Sequence, residues 1–328
     1  MSKFDINQEI TNRFIAALES GVIPWKKPWD NTVSESVSSR AFAVDYRKGK
    51  PYNLINQMLL GFHGEYATFK FINECGGRIK KGSKASHVLQ FFPHINYFNS
   101  DGKRVISTEG MSSEEIANLT QKLSFSSTYQ SVFSIADCEG IELKHENVSH
   151  VVNVPDSRRE RDDLAEAVIK SYCNRANLDF KNQPQNRAFY SPAGHYVRVP
   201  LRSQFEHVAE YYSTIFHELA HSTGHETLLN RDYGHQFDAP KYAYEELVAE
   251  ISASAILYRL HIEQPSTFKN SSAYIQSWLG ALKNDKNLII TAAQKADKAV
   301  ELILGVDRQA DLLKSDEITP EDLIVFAV

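Results

Sequence analysis

The chain has 328 residues, 42% of them apolar and 11% aromatic, which is enough to bury a core, excludes wholesale disorder and predicts two domains. Lys and Arg number 36 against 41 Asp and Glu, so the net charge of −5 is a small difference between two large populations. No apolar run approaches the roughly 18 residues that would cross a bilayer, and the first ten residues lack a basic-then-apolar leader pattern. Cys75, Cys138 and Cys173 are far apart and form no CxxC pair. A cytoplasmic protein with no disulfide framework and no membrane partner is expected.

Asp5 and Gln8 predict a capping box, after which Ile6, Ile10, Phe14 and Leu18 recur at helical spacing as far as Gly21. Pro24 and Pro28 in PWKKPW cannot continue that helix. Thr68 caps a short helix that ends at Gly76-Gly77, and RIKKGSK and HVLQFFP read as two strands around a turn at Gly82. NSDG at 99–102 marks another hairpin. The first 144 residues therefore predict a small α+β domain. Residues 145–163, with a proline and a dense charge run, predict a linker, and 164–328 predict a mainly helical domain. That domain has helices over 164–175, 204–221, 242–261, 272–284 and 286–304, with AFYSP and HYVRVP forming a small sheet.

Charge divides along the same line. Residues 1–128 carry +4, with a local +7 over 40–104, which leaves −9 for the remainder. The basic part predicts a polyanion partner. Arg47, Lys48 and Lys50 precede Tyr52; Arg78, Lys80, Lys81 and Lys84 surround Gly82; Trp25 and Trp29 flank Lys26 and Lys27. Cations for phosphates interleaved with flat rings for unstacked bases fit single-stranded nucleic acid, with a solvated basic face as the bland alternative.

The sharpest pattern is FHELAHSTGH. His217 and His221 stand one helical turn apart on one face, as two imidazole ligands of one zinc ion would, and Glu218 beside them is placed to take a proton from water. Downstream, EELVAE puts Glu246 and Glu250 four apart in a helix otherwise rich in Ala and Ile, where buried acids need a cation. One can ligate the metal while the other accepts the free ring N–H of a ligating histidine; the candidates for third ligand are Glu246, then Glu250, then Glu245. This layout resembles the second helix of gluzincin metallopeptidases. A metzincin site is excluded, because position 227 is Thr and Met1, Met58 and Met111 all precede the motif. His225 fits a capping or surface role better than a ligand role, and Tyr190, Tyr242 and Tyr244 are the candidates for a second electrophile.

Several segments in order carry a resemblance that spans nearly the whole chain. ITNRFIAALESGVIPWKKPW, YNLINQMLL, ATFKFINECGGRIKKGSK and VFSIADCEGI are similar to the N-terminal single-stranded-DNA-binding domain of ArdC antirestriction proteins and related plasmid primase-associated proteins. YYSTIFHELAHSTGH, YAYEELVAE and YIQSWLGALKNDKNLIITAAQKADKAVE resemble their zincin-type metallopeptidase domain. Leu54 and Tyr66 depart from the usual Gly and Trp. The resemblance implies a plasmid- or phage-borne antirestriction protein that accompanies single-stranded DNA, with one zinc ion on His217, His221 and Glu246 and Glu218 as the catalytic acid. A host restriction or regulatory protein would be the peptidase substrate. The alternatives are a DNA-coating protein whose zinc only stabilises the fold, and a regulatory peptidase that cleaves a repressor.

Overall fold

The computed structural model describes residues 5–25, 42–145, 162–233, 239–260, 262 and 271–306. Helix α1 (Ile6–Glu19) starts where the Asp5 carboxylate accepts the N–H groups of Asn7 and Gln8, and it buries Ile10, Phe14 and Leu18 as their spacing predicts. Gln8 bonds Asn12 instead of reaching back to the cap, so the expected box is half formed. At Gly21 a φ of +81° ends the helix and lets the Val22 N–H fold back onto Ala17 O.

The chain continues through β1 (Val44–Asp45), β2 (Lys50–Pro51), α2 (Leu54–Leu60), β3 (Glu65–Ala67), α3 (Phe69–Glu74), β4 (Arg78–Ile79), β5 (Ser86–Phe98), β6 (Arg104–Val105), α4 (Ser113–Ala117), β7 (Thr120–Ser134) and β8 (Cys138–Glu139). Thr68 caps α3 as expected, its hydroxyl accepting the Phe71 N–H. β5 and β7 form a long antiparallel ribbon, Ser86 opposite Val132 at one end and Phe98 opposite Thr120 at the other, inside a six-stranded sheet ordered β2-β1-β3-β7-β5-β6. The 99–102 turn joins β5 to β6, with Asn99 Oδ1 accepting from the Asp101 and Lys103 N–H groups. Gly82 behaves differently from the sequence expectation. The strands on either side of it do not pair, because Ile79 packs into a small core with Tyr46, Ile72 and Ile135, which keeps β4 against β8 while β5 joins β7.

The second half comprises α5 (Asp163–Ala176), β9 (Asp179–Asn182), β10 (Phe189–Ser191), β11 (Tyr196–Val199), α6 (Val208–Ser222), α7 (Ala239–Arg259), α8 (Ser271–Asn284) and α9 (Leu288–Leu304). Its sheet is ordered β10-β11-β9; the unexpected member, β9, runs parallel to β11. Helix α7 is central: Leu247, Val248, Ala249, Ile251, Ala253 and Ile256 are all buried, as befits a helix apolar on most sides. Among the described residues no helix is long and apolar enough to cross a membrane.

One hydrophobic core runs through both halves. Ile10, Phe14, Trp25, Leu54 and Ile55 cluster with Trp278, Leu282, Ile289 and Val300. The Thr11 hydroxyl donates to Lys286 O (2.7 Å) and the Tyr258 hydroxyl to Phe62 O (2.8 Å), so α1 and α2 are docked on the C-terminal helices. Most of the expected linker, 146–161, lies outside the described residues. On its flanks the His145 N–H donates to Glu65, and the Asp162 N–H donates to the Tyr212 oxygen.

At this junction Asp297 of α9 accepts the Leu54 N–H (2.9 Å). Burial raises its pKa to about 7 although that N–H and the Arg259 charge favour the anion; Glu301 and Lys298 act in opposite senses. A carboxyl that titrates near 7 when folded and near 3.8 otherwise contributes stability that is full below the lower value and lost as pH rises through the higher one. Asp297→Asn keeps the acceptor and removes the proton. Its unfolding free energy should rise relative to wild type by about 2 kcal/mol between pH 5 and pH 8, as read by urea denaturation. An unchanged difference would show that Asp297 is already ionised at pH 5.

Candidate metal centre

Helix α6 forms because Tyr211, Tyr212, Ile215, Phe216, Leu219 and Ala220 give it a buried face, which packs on α7. His217 and His221 lie a turn apart on α6, and Glu246 on α7 faces them. The two Nε2 atoms are 3.1 Å apart, and the Glu246 oxygens stand 3.4 Å from His217 Nε2 and 3.5 Å from His221 Nε2. Four-coordinate zinc with bonds of 2.0–2.1 Å has ligand–ligand edges of about 3.3 Å. Glu246 thus presents one carboxylate oxygen to each imidazole at separations close to those edges, and the three residues are the one group among the described residues that could hold a metal ion.

The outer nitrogens are also held. His217 Nδ1 faces Glu250 Oε2 at 3.6 Å, and His221 Nδ1 faces Glu245 Oε1 at 3.2 Å. A carboxylate beside each Nδ1 favours the tautomer with its proton there, which leaves the Nε2 lone pair for a cation. Without a cation the same carboxylates hold a proton there. Burial opposes protonation of His221, but Glu245 and Glu246 outweigh it and raise its pKa to about 9; Glu246, Glu250 and the Glu218 charge overcome burial and raise that of His217 as well. Burial likewise disfavours the Glu246 anion, and the two histidines reverse this, holding its carboxyl well below the usual range.

Glu218 is 9% exposed, and its charge acts on His217, yet it is not one of the three converging residues. His225 also stands apart. Its ring packs on His195 (centroids 4.0 Å), and its Nδ1 bonds the Thr227 hydroxyl at 2.8 Å. Of the three candidate tyrosines, Tyr242 is exposed and Tyr244 packs partly buried against the core, whereas the Tyr190 hydroxyl bonds His195 Nδ1 at 3.0 Å and its ring lies 5.9 Å from Tyr233.

Two residues absent from the sequence reading complete the surroundings. Arg231 grips Glu245, and the Tyr233 hydroxyl donates to His221 O (3.0 Å). Tyr233 also accounts for Gly224, since a Cβ there would come 2.8 Å from the Tyr233 oxygen. No spacing rule links Arg231 to a carboxylate fourteen residues on; a lone arginine after a turn of polar residues was the only available signal.

The predicted nucleic-acid residues separate into three groups. Trp25 and Tyr52 are each only 2% exposed: Trp25 stands edge-on to Trp278 (5.3 Å between centroids), and Tyr52 packs with Leu60, Tyr66 and Val132. Neither ring offers a face to a base, so the stacking role expected of them is corrected. Lys26, Lys27 and Trp29 lie outside the described residues. Arg47 is exposed with its guanidinium 5.7 Å over the Phe71 ring, Lys48 and Lys50 are half-buried, and Arg78, Lys80, Lys81 and Lys84 are exposed. The Lys80 ammonium donates to Ala136 O at 2.8 Å. Phe69, at the start of α3, is 58% exposed.

Comparison with known proteins agrees with this geometry. Residues 4–133 match the family model for the N-terminal domain of anti-restriction factor ArdC, and residues 166–295 match a zincin-like metallopeptidase model. The crystal structure of the antirestriction protein ArdC from plasmid R388, metal-free, is 27% identical and superposes with a TM-score of 0.67 over 93% of this chain and 100% of that one. The chain is of the ArdC type. The Mn(II)-bound ArdC structure superposes equally well, with a TM-score of 0.66 over 96% of the ArdC-type chain and 100% of its own. DNA primase TraC of Escherichia coli is 27% identical over 94% of the chain, which spans only 28% of that primase. A zincin-like domain implies a metal ion, and His217, His221 and Glu246 supply a donor set that fits one.

Proposed function

We propose that this ArdC-type protein binds single-stranded DNA through residues 1–144 and hydrolyses a peptide bond of a host protein at one zinc ion held by His217, His221 and Glu246. The outcome would be protection of incoming DNA from host defence. The observation that carries the catalytic half is the convergence of those three side chains, with the Glu246 oxygens 3.4 and 3.5 Å from two Nε2 atoms that are 3.1 Å apart and a carboxylate beside each outer imidazole nitrogen. When bound, the ion supplies Lewis-acid chemistry, polarising a carbonyl and acidifying water. Glu218 then takes the proton of the attacking water and returns it to the departing amine nitrogen as the C–N bond breaks. Glu245 and Glu250 fix the two imidazoles in the ligating tautomer.

For the nucleic-acid half, the support is the ArdC N-terminal match together with the exposed cations and Phe69. Phe69 takes the stacking role that the buried Trp25 and Tyr52 cannot. Because α1 and α2 are docked on the C-terminal helices, the test uses the full chain. Fluorescence anisotropy should show tighter binding to single-stranded than to duplex DNA. Phe69→Ala should weaken it by about 1–3 kcal/mol at every salt concentration. Joint replacement of Lys80, Lys81 and Lys84 by Ala should lower the slope of log K against log salt by up to about 2, at about 0.7 per lost phosphate contact. Equal affinity for duplex and single strand would overturn the assignment.

A further inference from the structure

We propose that Arg231 is a positioning residue that sets the orientation and metal affinity of His221 through Glu245. The inference rests on the metal reading above and concerns a side chain that lies outside the donor set.

Arg231 follows a tight return of the chain after α6. The Leu229 N–H donates to Thr223 O, the Asn230 N–H to His225 O, and the Arg231 N–H to Gly224 O at 2.9 Å. That return places the guanidinium underneath the histidine helix, with both its side chain and that of Glu245 only 3% exposed. The contact is a two-point fork: Nε donates to Glu245 Oε2 at 3.0 Å and Nη2 to Oε1 at 2.7 Å. The rest of the guanidinium is fixed on α6, Nη2 on Ala220 O at 2.8 Å and Nη1 on Thr223 Oγ1 at 2.7 Å. Glu245 Oε1, gripped in this way, is the oxygen that faces His221 Nδ1 at 3.2 Å.

Each link has a physical reason. A buried carboxylate with only an imidazole N–H for company would carry a heavy desolvation cost, and the guanidinium offsets it. A carboxylate held at both oxygens cannot rotate about its terminal bond, so the acceptor is fixed in plane and in distance. An imidazole anchored by a fixed acceptor loses less freedom when its Nε2 ligates, and loss of such an outer partner typically costs 10–100-fold in metal affinity. The opposite histidine has a different arrangement, His217 meeting Glu250 at a longer 3.6 Å. Arg231 therefore acts on one ligand of the pair.

The test is a zinc titration of the full chain against a chromophoric chelator, together with the Co(II) absorption spectrum and the melting temperature of the metal-free protein. Arg231→Lys keeps the charge and loses the fork; Glu245→Gln keeps an acceptor oxygen and loses the charge. Each should weaken zinc binding 10–100-fold and alter the Co(II) spectrum, and the double variant should bind no more weakly than Glu245→Gln alone. A purely structural role would lower the melting temperature and leave the zinc affinity within about twofold. That result, or additive losses in the double variant, would overturn the proposal. If Arg231→Lys does not fold, Glu245→Gln alone decides, since an unchanged affinity there removes the link through which Arg231 acts. A wild-type chain that binds no zinc would refute the metal reading itself, a separate failure.

Discussion

Zinc should raise the melting temperature of the wild-type protein, and replacing His217 by alanine should abolish that stabilisation. A ligand that binds only the folded state stabilises it by RT ln(1 + [L]/Kd), about 2.7 kcal/mol at a hundredfold excess over Kd. In the wild type, the two imidazole Nε2 atoms lie 3.1 Å apart and the Glu246 oxygens lie 3.4 and 3.5 Å from them before any ion arrives, so little ordering opposes binding. Removing one imidazole leaves His221 and Glu246, and two donors do not close a site for zinc. The metal-free variant should also lose the contacts of His217 with Glu246 and Glu250, leaving two acids on α7, each under 10% exposed, with one fewer cationic partner. Its melting temperature without zinc should therefore fall below that of metal-free wild type, and it should not rise when zinc is added. Calorimetry with and without zinc checks both halves. A zinc-dependent rise of wild-type size in His217→Ala would remove this histidine from the donor set.

The parts of this site that were legible in the sequence are those governed by local periodicity. Four residues make about one helical turn, so His217 and His221 had to share a face, and so did Glu246 and Glu250. Acids among Leu, Val and Ala in EELVAE signal burial against a cation, and Glu245, Glu246 and Glu250 are all buried beside a histidine or an arginine. Glu245 was placed among the ligand candidates, whereas it faces the outer nitrogen of His221. Whether an acid meets the inner or the outer nitrogen depends on how α7 is rotated against α6, and that is a tertiary quantity.

The rest depended on pairings between distant segments. Trp25 and Tyr52 beside lysines and arginines read equally well as stacking rings or as core; the ring that buries Trp25 belongs to Trp278, more than two hundred residues away. The turn at Gly82 was visible, with its φ of +96°, but the choice of β8 as partner for β4 was not, because it is made by the small core around Ile72 and Ile135. In the same way, nothing in the amphipathic pattern of α1 says which surface covers its apolar face. That face lies on the C-terminal helices, so the two functional halves share a core even though their charges differ in sign.

Glu218 is the residue whose replacement separates hydrolysis from simple DNA coverage. Glu218→Gln keeps the size of a side chain that is 9% exposed in α6 and leaves His217, His221 and Glu246 in place, so zinc content and DNA affinity should match wild type. What it removes is the carboxylate proposed to accept the proton of the attacking water, a loss typically worth 10²–10⁴-fold in rate, or about 3–5 kcal/mol of transition-state stabilisation. If cleavage of a host protein is the means of protection, a restricting host that expresses the variant should admit incoming unmethylated DNA no better than a host lacking the protein. The zinc-loaded variant serves as its own control, because an effect of lost metal or lost folding would show in the zinc content and the melting temperature. Full protection by a zinc-loaded Glu218→Gln protein would mean that proton transfer at this site is dispensable. The metal would then serve the α6–α7 packing alone, and DNA binding by the surface proposed around Phe69, Lys80, Lys81 and Lys84 would have to carry the protection.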